Sequence, residues 1–132
     1  MPPRENDPQI NDDVVLWRAV PLSHVCVGDE GSERPESWAF KSAENEVSCW
    51  IAAETNLQDL KEKFPNSRIA QFTAGQAREC ANIVTRDPVE GDAAHVLVCP
   101  VPGKSLGRVT KDARRLASRT TLLPVDARLR LG

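Results

Sequence analysis

The chain has 132 residues, of which 40% are hydrophobic and 27% are charged, and its formal net charge is −2. This composition is ordinary for one globular domain with its own core, and it argues against a chain that is disordered throughout. No stretch approaches the ~20 apolar residues of a membrane helix, and the polar N-terminus lacks the apolar segment of a signal peptide. We therefore expect a cytoplasmic protein whose four cysteines are reduced.

Charge is distributed unevenly along the chain. Residues 1–60 hold 4 Lys/Arg and 12 Asp/Glu, residues 61–100 hold 5 of each, and residues 101–132 hold 8 and 2. The basic end is suited to an acidic partner or a nucleic acid, or it folds back over the acidic front of its own chain. We favour the second interpretation.

The first elements are a tail and a strand. Residues 1–13 are rich in proline and acid and predict a disordered N-terminal tail. Val14–Val20 predicts a strand in which Leu16 and Arg18 share one face. Because Arg18 is the only charge in this apolar run, it either pairs with an acid at a sheet edge, which we favour, or holds an anion in a cleft.

The next elements are shorter. Ser23–Val27 and Glu46–Ala52 predict strands, and residues 28–36 between them predict a polar loop. The apolar Trp38–Phe40 segment is expected to close over the core. Thr55 with Gln58 predicts the capping box of a helix that ends at Pro65.

The central stretch predicts strand, helix, turn and strand. Ile69, Ala70 and Phe72 form a short apolar run, and Thr73 with Gln76 forms a second capping box. The helix that follows is expected to stop near residues 83–85, and residues 94–101 predict a strand buried on both faces. The free N–H groups at Thr73, Gly75 and Gln76 form a candidate anion site, although capped helices are common and no GxGxxG motif is present.

The last helix is predicted over residues 105–121. Its single apolar stripe consists of Leu106, Val109, Ala113, Leu116, Ala117 and Thr120. Its opposite face is basic and includes the candidate partner-binding residues Arg108, Lys111, Arg115 and Arg119, together with Arg114. A solvated face is the favoured interpretation. A nucleic acid is the less favoured partner, because no aromatic residue interleaves with these charges. Residues 124–132 predict a flexible C-terminal tail.

No established catalytic or metal motif is present. The chain has no CxxC and no GxSxG. His24, Cys26, His95 and Cys99 would form a metal site only if their two strands were neighbours, so we expect no metal. His95 follows a turn that contains Asp87, Glu90 and Asp92, and a carboxylate partner would prepare it for acid–base chemistry. The favoured interpretation is a core histidine bonded to the backbone.

Two resemblances bear on function. Arg18 on a strand and a later Ser37 loosely resemble ADP-ribosyltransferase-like folds that consume NAD, with an acid among Glu44, Glu46 and Glu54 as the third member. Over about residues 16–124, a second pattern resembles a class of small bacterial proteins without an established activity. It consists of LxR, RPxSxAF, TAGxARE, RDP and AH segments. This resemblance implies a bacterial cytoplasmic protein.

The sequence therefore predicts an α+β fold over residues 14–123, with about five short strands in a mixed sheet and about three helices. The predicted function is that of an accessory or interaction protein that binds a protein partner, as a subunit of a bacterial defence or toxin–antitoxin-like system. The alternative is a nucleotide- or NAD-handling enzyme that uses Arg18, Arg34, Ser37 and His95. The wider candidate surface consists of Arg18, Arg34, Ser37, Arg78, Asp87 and His95. No cofactor is expected, and the oligomeric state is left open.

Overall fold

A computed structural model describes residues 5–27, 31, 33–40, 46–89 and 92–124, with only the backbone at Trp38. The strands are β1 (Val15–Pro21), β2 (Val25–Val27), β3 (Glu33–Pro35), β4 (Val47–Ile51), β5 (Ser67–Thr73), β6 (Asn82–Arg86), β7 (His95–Pro100) and β8 (Thr121–Leu122). The α-helices are α1 (Leu57–Lys63), α2 (Ala74–Glu79) and α3 (Leu106–Arg119). Short 3₁₀ helices cover Leu22–His24, Ser37–Phe40 and Ala52–Glu54.

Six of these strands form one sheet in the order β6-β7-β4-β1-β5-β8, and β2 pairs with β3 in a small second sheet. Each of these neighbouring pairs is antiparallel, whereas the sequence predicts a mixed sheet. The predicted α+β class and the three helices are confirmed. The strands are more numerous than expected because β3, β6 and β8 were not predicted. Strands β3 and β8 have only two or three residues each, which is too short for a period-2 pattern to stand out, and β6 begins where the sequence predicts that helix α2 continues.

The sheet is covered on both faces. On one face, Leu16 and Phe72 pack in a cluster that includes Ala77 of α2 and Leu116 of α3. On the other face, Trp50 and Ile69 pack in a second cluster with Leu60 of α1. The alternation predicted for β1 is confirmed, because Leu16 and Val20 belong to the first cluster while Ala19 belongs to the second.

Two helix boundaries differ from the prediction. Helix α2 ends at Glu79 and not near residues 83–85, because Ala81 takes a left-handed backbone conformation with φ 58° and β6 begins at the next residue. The N-cap of α1 is Asn56 and not Thr55; its side chain accepts from the backbone N–H of Asp59. The predicted Thr73 and Gln76 capping box is present in full.

The N-terminal segment, which the sequence predicts to be a disordered tail, packs on the domain. Ile10 is 2% exposed and belongs to the cluster on the α3 side of the sheet. Asp7 N–H donates to the carbonyl of Val84 at 2.9 Å, and Gly75 N–H donates to the carbonyl of Asp12 at 2.8 Å. A single aliphatic residue in a polar stretch gives no periodicity from which this docking could be predicted. Of the predicted C-terminal tail, residues 125–132 lie outside the described part of the chain.

Candidate functional site

Helix α3 is strongly amphipathic and presents a basic outer face. Ser105 caps it by accepting from the N–H of Arg108. Val109, Ala113, Leu116 and Ala117 are buried at three- and four-residue spacing, as the sequence predicts. Leu106, which the predicted stripe includes, is instead 73% exposed.

A buried aspartate anchors α3 from within. Asp112 is 1% exposed, and its carboxylate accepts from Lys104 Nζ at 2.7 Å. Arg115 lies 3.2 Å from the same carboxylate, and Arg108 lies 3.5 Å from it. Burial raises the pKa of the Asp112 carboxyl, but the hydrogen bond and charge of Lys104 outweigh it, so the pKa lies below its ordinary value. Asp112 therefore remains ionised and holds three cations in place.

A second acid ties α3 to α2. Arg119 NH1 lies 2.7 Å from the carboxylate of Glu79, and Arg115 NH2 donates to the backbone carbonyl of Glu79 at 3.1 Å. The basic residues of α3 therefore pair with acids of their own chain. Among the described residues these acids are Asp112 and Glu79, and none comes from the acidic residues 1–60. The front pairs instead with central arginines: Arg68 with Glu33, Arg78 with Asp12 and Arg86 with Glu54.

Positive charge remains on the outside of α3 after these pairs form. Lys111 and Arg114 are exposed, and no carboxylate of the described residues lies within ion-pair distance of either. The side chains of Arg108, Arg115 and Arg119 are still 54%, 42% and 38% exposed. We call the outward side chains Arg108, Lys111, Arg114, Arg115 and Arg119 the basic face.

At the start of α2, where the sequence predicts an anion site, groups of the protein itself accept from the backbone N–H donors. Thr73 and Gln76 bond each other's backbone N–H groups, and Gly75 N–H donates to the carbonyl of Asp12. Ala74 N–H donates to the carbonyl of Val14 at 2.9 Å. These donors are consumed within the protein. A Cβ built at Gly75 would meet Asp12 Cβ at 2.9 Å, so the glycine allows close approach of the chain's own backbone and not of a phosphate.

Arg18 fits neither of its two predicted roles. It lies on the α3 side of β1, where its Nε donates to the carbonyl of Ala39 at 3.1 Å and its NH1 donates to the carbonyl of Ser48 at 3.0 Å. It therefore fastens the 3₁₀ helix Ser37–Phe40 to β4. Ser37 begins that 3₁₀ helix and is half-buried, whereas Arg34 is exposed on β3 of the small sheet, opposite Cys26.

His95 and Asp87 do meet, on the other side of the sheet. His95 Nδ1 is 2.8 Å from the backbone carbonyl of Asp87 and 3.4 Å from its carboxylate. Because a carbonyl only accepts, Nδ1 must carry the proton. The His95 ring packs edge-on against Trp50 with centroids 5.4 Å apart. The geometry agrees with the favoured interpretation of a core histidine bonded to backbone.

A polar groove of about 840 Å³ lies beside this pair, between α1 and the turn before β7. Trp50 Nε1 donates to Asp92 at 2.6 Å, and Lys63 Nζ reaches the same carboxylate oxygen at 3.0 Å. Burial raises the pKa of the Asp92 carboxyl, but the hydrogen bonds from Trp50 and Lys63 outweigh it, and the pKa is lowered. The Asp92 carboxylate, which lines the groove, is thus already bonded to two donors of the protein.

The candidate catalytic residues do not form one surface. Arg18 extends from the α3 side of the sheet, while His95 lies on the α1 side with Trp50. Arg78, on α2, binds the N-terminal segment at Asn6 and Asp12. Within this set, Asp87 and His95 are in direct contact with each other.

The described residues contain no cluster of His, Cys, Asp and Glu arranged to hold a metal ion. His24 and Cys26 lie in or beside the small sheet, and His95 and Cys99 lie on β7 of the large one. The four cysteines are free. None of the described helices is both long and apolar enough to cross a bilayer. Comparison with protein-family models, with curated proteins and with solved structures finds no match for the chain.

Sequence reasoning missed the residues that organise the basic face. Asp112 is the single acid of α3 and falls at the edge of its apolar stripe, four residues after Arg108 and three before Arg115. That spacing is the signal that could have identified it. Lys104 precedes the helix, and Glu79 comes from a different helix, so their roles depend on tertiary packing.

Proposed function

We propose that the protein is a binding module that recognises an acidic segment of a partner protein through the basic face of α3. One observation carries the proposal: α3 keeps exposed positive charge after its internal ion pairs are counted. Lys111 and Arg114 have no acid among the described residues. A surface of one sign attracts a partner of the opposite sign and orients its approach.

The internal pairs favour binding because they order the arginines in advance. Asp112 holds Arg108 and Arg115, and Glu79 holds Arg119, each through part of the guanidinium. An arginine has five N–H donors, so these side chains keep donors for a carboxylate of the partner. Ordering them before binding lowers the entropy cost of association.

A protein fits this face better than a nucleic acid does. The described part of α3 carries no aromatic side chain on which a base could stack. The whole chain has a net charge of −2, which opposes the non-specific attraction of phosphates. A short acidic segment needs only the local positive charge.

The finer assignment is part of the same proposal. An accessory subunit of a bacterial multi-component system, of the defence or toxin–antitoxin type, would use such a face to dock on its partner. The enzyme alternative stays a prediction. The positions of Arg18 and His95 on opposite faces of the sheet argue against one active site built from both.

The test is capture from the native lysate with matched charge variants. Lys111→Glu with Arg114→Glu reverses the two unpaired charges, whereas changes at Arg115 or Arg119 would also break internal pairs. Arg34→Glu with Lys61→Glu changes the net charge equally at positions off α3. We expect a partner that the wild type and the control retain, that the α3 variant loses, and that high salt releases. Binding that survives the α3 reversal, or that nuclease treatment removes, would overturn the proposal.

A further inference from the structure

The N-terminal segment covers the free edge of the large sheet. We call residues 5–12 the strap. Val84 N–H donates to Asn6 Oδ1 at 2.8 Å, and Asp7 N–H donates to the Val84 carbonyl at 2.9 Å. Val84 pairs with Val98 of β7 on its other side. The strap thus satisfies both backbone groups that the edge strand turns outward at this residue.

Arg78 clamps the strap from α2. Its Nε donates to Asn6 Oδ1 at 3.1 Å, its NH1 to Asp12 Oδ1 at 2.7 Å, and its NH2 to the Asp7 carbonyl at 3.3 Å. One guanidinium therefore contacts an amide, a carboxylate and a backbone carbonyl of the same segment. This donor set is suited to an extended acidic chain.

One apolar anchor completes the contact. Ile10 is buried at 2% exposure, while its neighbours from Glu5 to Asp13 are exposed or half-buried. The Asp12 side chain is 78% exposed, so its ion pair with Arg78 is open to solvent and to salt. A segment with a single buried side chain and a solvent-exposed ion pair opens more easily than the sheet beneath it.

We propose that the groove under the strap is a docking site for an extended acidic segment of a partner protein with one aliphatic anchor. The groove consists of the β6 edge at Val84, the Arg78 guanidinium and the pocket that holds Ile10. The strap occupies it in cis, so a partner enters by displacing the strap and adding to the sheet edge. The strap itself shows the chemistry that the groove accepts. This site is separate from the basic face of α3.

The test measures the binding of a fluorescently labelled peptide, with the sequence of residues 5–13, to the full chain. Binding is detected by fluorescence anisotropy. Asp12→Lys opens the strap, because it places a cation beside Arg78, whose NH1 now lies 2.7 Å from the Asp12 carboxylate, and it leaves the groove itself unchanged. Ile10→Asp opens it by a different route. We expect each to bind the peptide at least about ten-fold more tightly than the wild type, whose groove is mostly filled.

Four controls make the result specific. Gly107→Ala, where an added Cβ meets nothing within 4 Å, should bind as the wild type does. Arg78→Glu should abolish binding in the Ile10→Asp background, and so should an Ile10→Asp change in the peptide. Lys111→Glu with Arg114→Glu in that background should leave binding unchanged, which separates this site from the function proposed for α3.

Two outcomes would overturn the proposal. The first is that neither strap variant, folded by near-ultraviolet circular dichroism, binds the peptide more tightly than the wild type. The second is a dimer of the wild-type chain that dissociates when the peptide is added. That dimer would make the strap of a second copy the natural occupant.

Discussion

Gly75 and Asp12 are in such close contact that no side chain fits at position 75 without moving the strap. Gly75 N–H donates to the Asp12 carbonyl at 2.8 Å, and the space for a Cβ is filled by Asp12 Cβ at 2.9 Å. Alanine normally stabilises a helix relative to glycine. We expect the opposite for Gly75→Ala, a loss of about 1–3 kcal/mol in the free energy of unfolding, because overpacking displaces the backbone.

Gly107→Ala is the matched control for that stability measurement. Gly107 also lies in a helix, but open space surrounds the position of its missing Cβ. We expect Gly107→Ala to raise the free energy of unfolding in urea by about 1 kcal/mol. Equal stabilisation by both alanines would show that the strap does not press on Gly75.

The ion pair of Lys104 and Asp112 should contribute more to the free energy of unfolding than the exposed charges of α3 do. Lys104→Met leaves an ionised carboxylate at 1% exposure without its closest cation. We expect it to cost about 3 kcal/mol in urea unfolding, the range for breaking a buried pair by removing one partner. Lys111→Met, on the exposed side of the same helix, should change stability by less than about 0.5 kcal/mol. Similar losses in both variants would contradict the anchoring role of Asp112.

The lowered pKa of Asp112 predicts how stability changes in acid. A carboxyl whose folded-state pKa is lowered stabilises the fold at pH values above its unfolded pKa, about 3.9. That contribution is lost as pH falls through the lower folded pKa. Asp112→Asn should therefore reduce stability at pH 7 and flatten its decline below about pH 4. If the free energy of unfolding of Asp112→Asn falls with decreasing pH as steeply as that of the wild type, this carboxyl is not a source of acid unfolding.

The two tryptophans of the α1 side form a matched pair of hydrogen-bond donors. Trp50 Nε1 donates to the Asp92 carboxylate at 2.6 Å, and Trp17 Nε1 donates to the Gln71 side-chain oxygen at 3.0 Å. Trp50→Phe should cost about 2–3 kcal/mol and Trp17→Phe about 1 kcal/mol, since bonds to charged groups are worth more. NMR titration of Asp92 in Trp50→Phe should show its pKa rise. An unmoved pKa would contradict this hydrogen bond.

The cysteines should differ sharply in reactivity. Burial raises the pKa of the Cys49 thiol to about 12, even though the nearby charge of Arg18 lowers it. Burial also raises the pKa of Cys80, while Cys26 is half-exposed. Iodoacetamide at pH 8 should therefore modify Cys26 first and leave Cys49 intact until the protein unfolds, because the thiolate is the reactive form. Mass spectrometry of the labelled peptides measures the order, and early labelling of Cys49 would contradict the packing of β4.

Local sequence signals were sufficient where one element determined its own structure. The period-2 pattern of β1, the Thr73 and Gln76 capping box and the amphipathic α3 are all present in the structure. Local sequence signals failed where a residue far away in the sequence determines what a side chain or backbone group contacts. Gly75 follows the helix N-cap, as a glycine in an anion site would, but Asp12 occupies the space beside it. Arg18 has the sequence context of an edge arginine, but the carbonyls of Ala39 and Ser48 satisfy it.

The basic face was predicted from periodicity, but its internal order was not. Helical spacing places Lys111 and Arg115 outward whether or not they have partners. That Arg115 is fixed while Lys111 is not depends on Glu79, which belongs to another helix, and on the burial of Asp112. The strap was missed for the same reason, because the pocket for Ile10 is formed by residues far along the chain.

The most direct test of the binding proposal is site-specific photo-crosslinking in the native cell. A benzoylphenylalanine at Ser118 would lie on the exposed side of α3, one turn from Arg114. The same crosslinker at the exposed Gln58 of α1 probes the opposite face of the sheet. We predict that the Ser118 probe captures an acidic segment of one partner protein, that Lys111→Glu with Arg114→Glu abolishes this product, and that the Gln58 probe does not form it. A partner captured only from Gln58, or a Ser118 product that survives the charge reversal, would contradict the proposal that α3 is the binding surface.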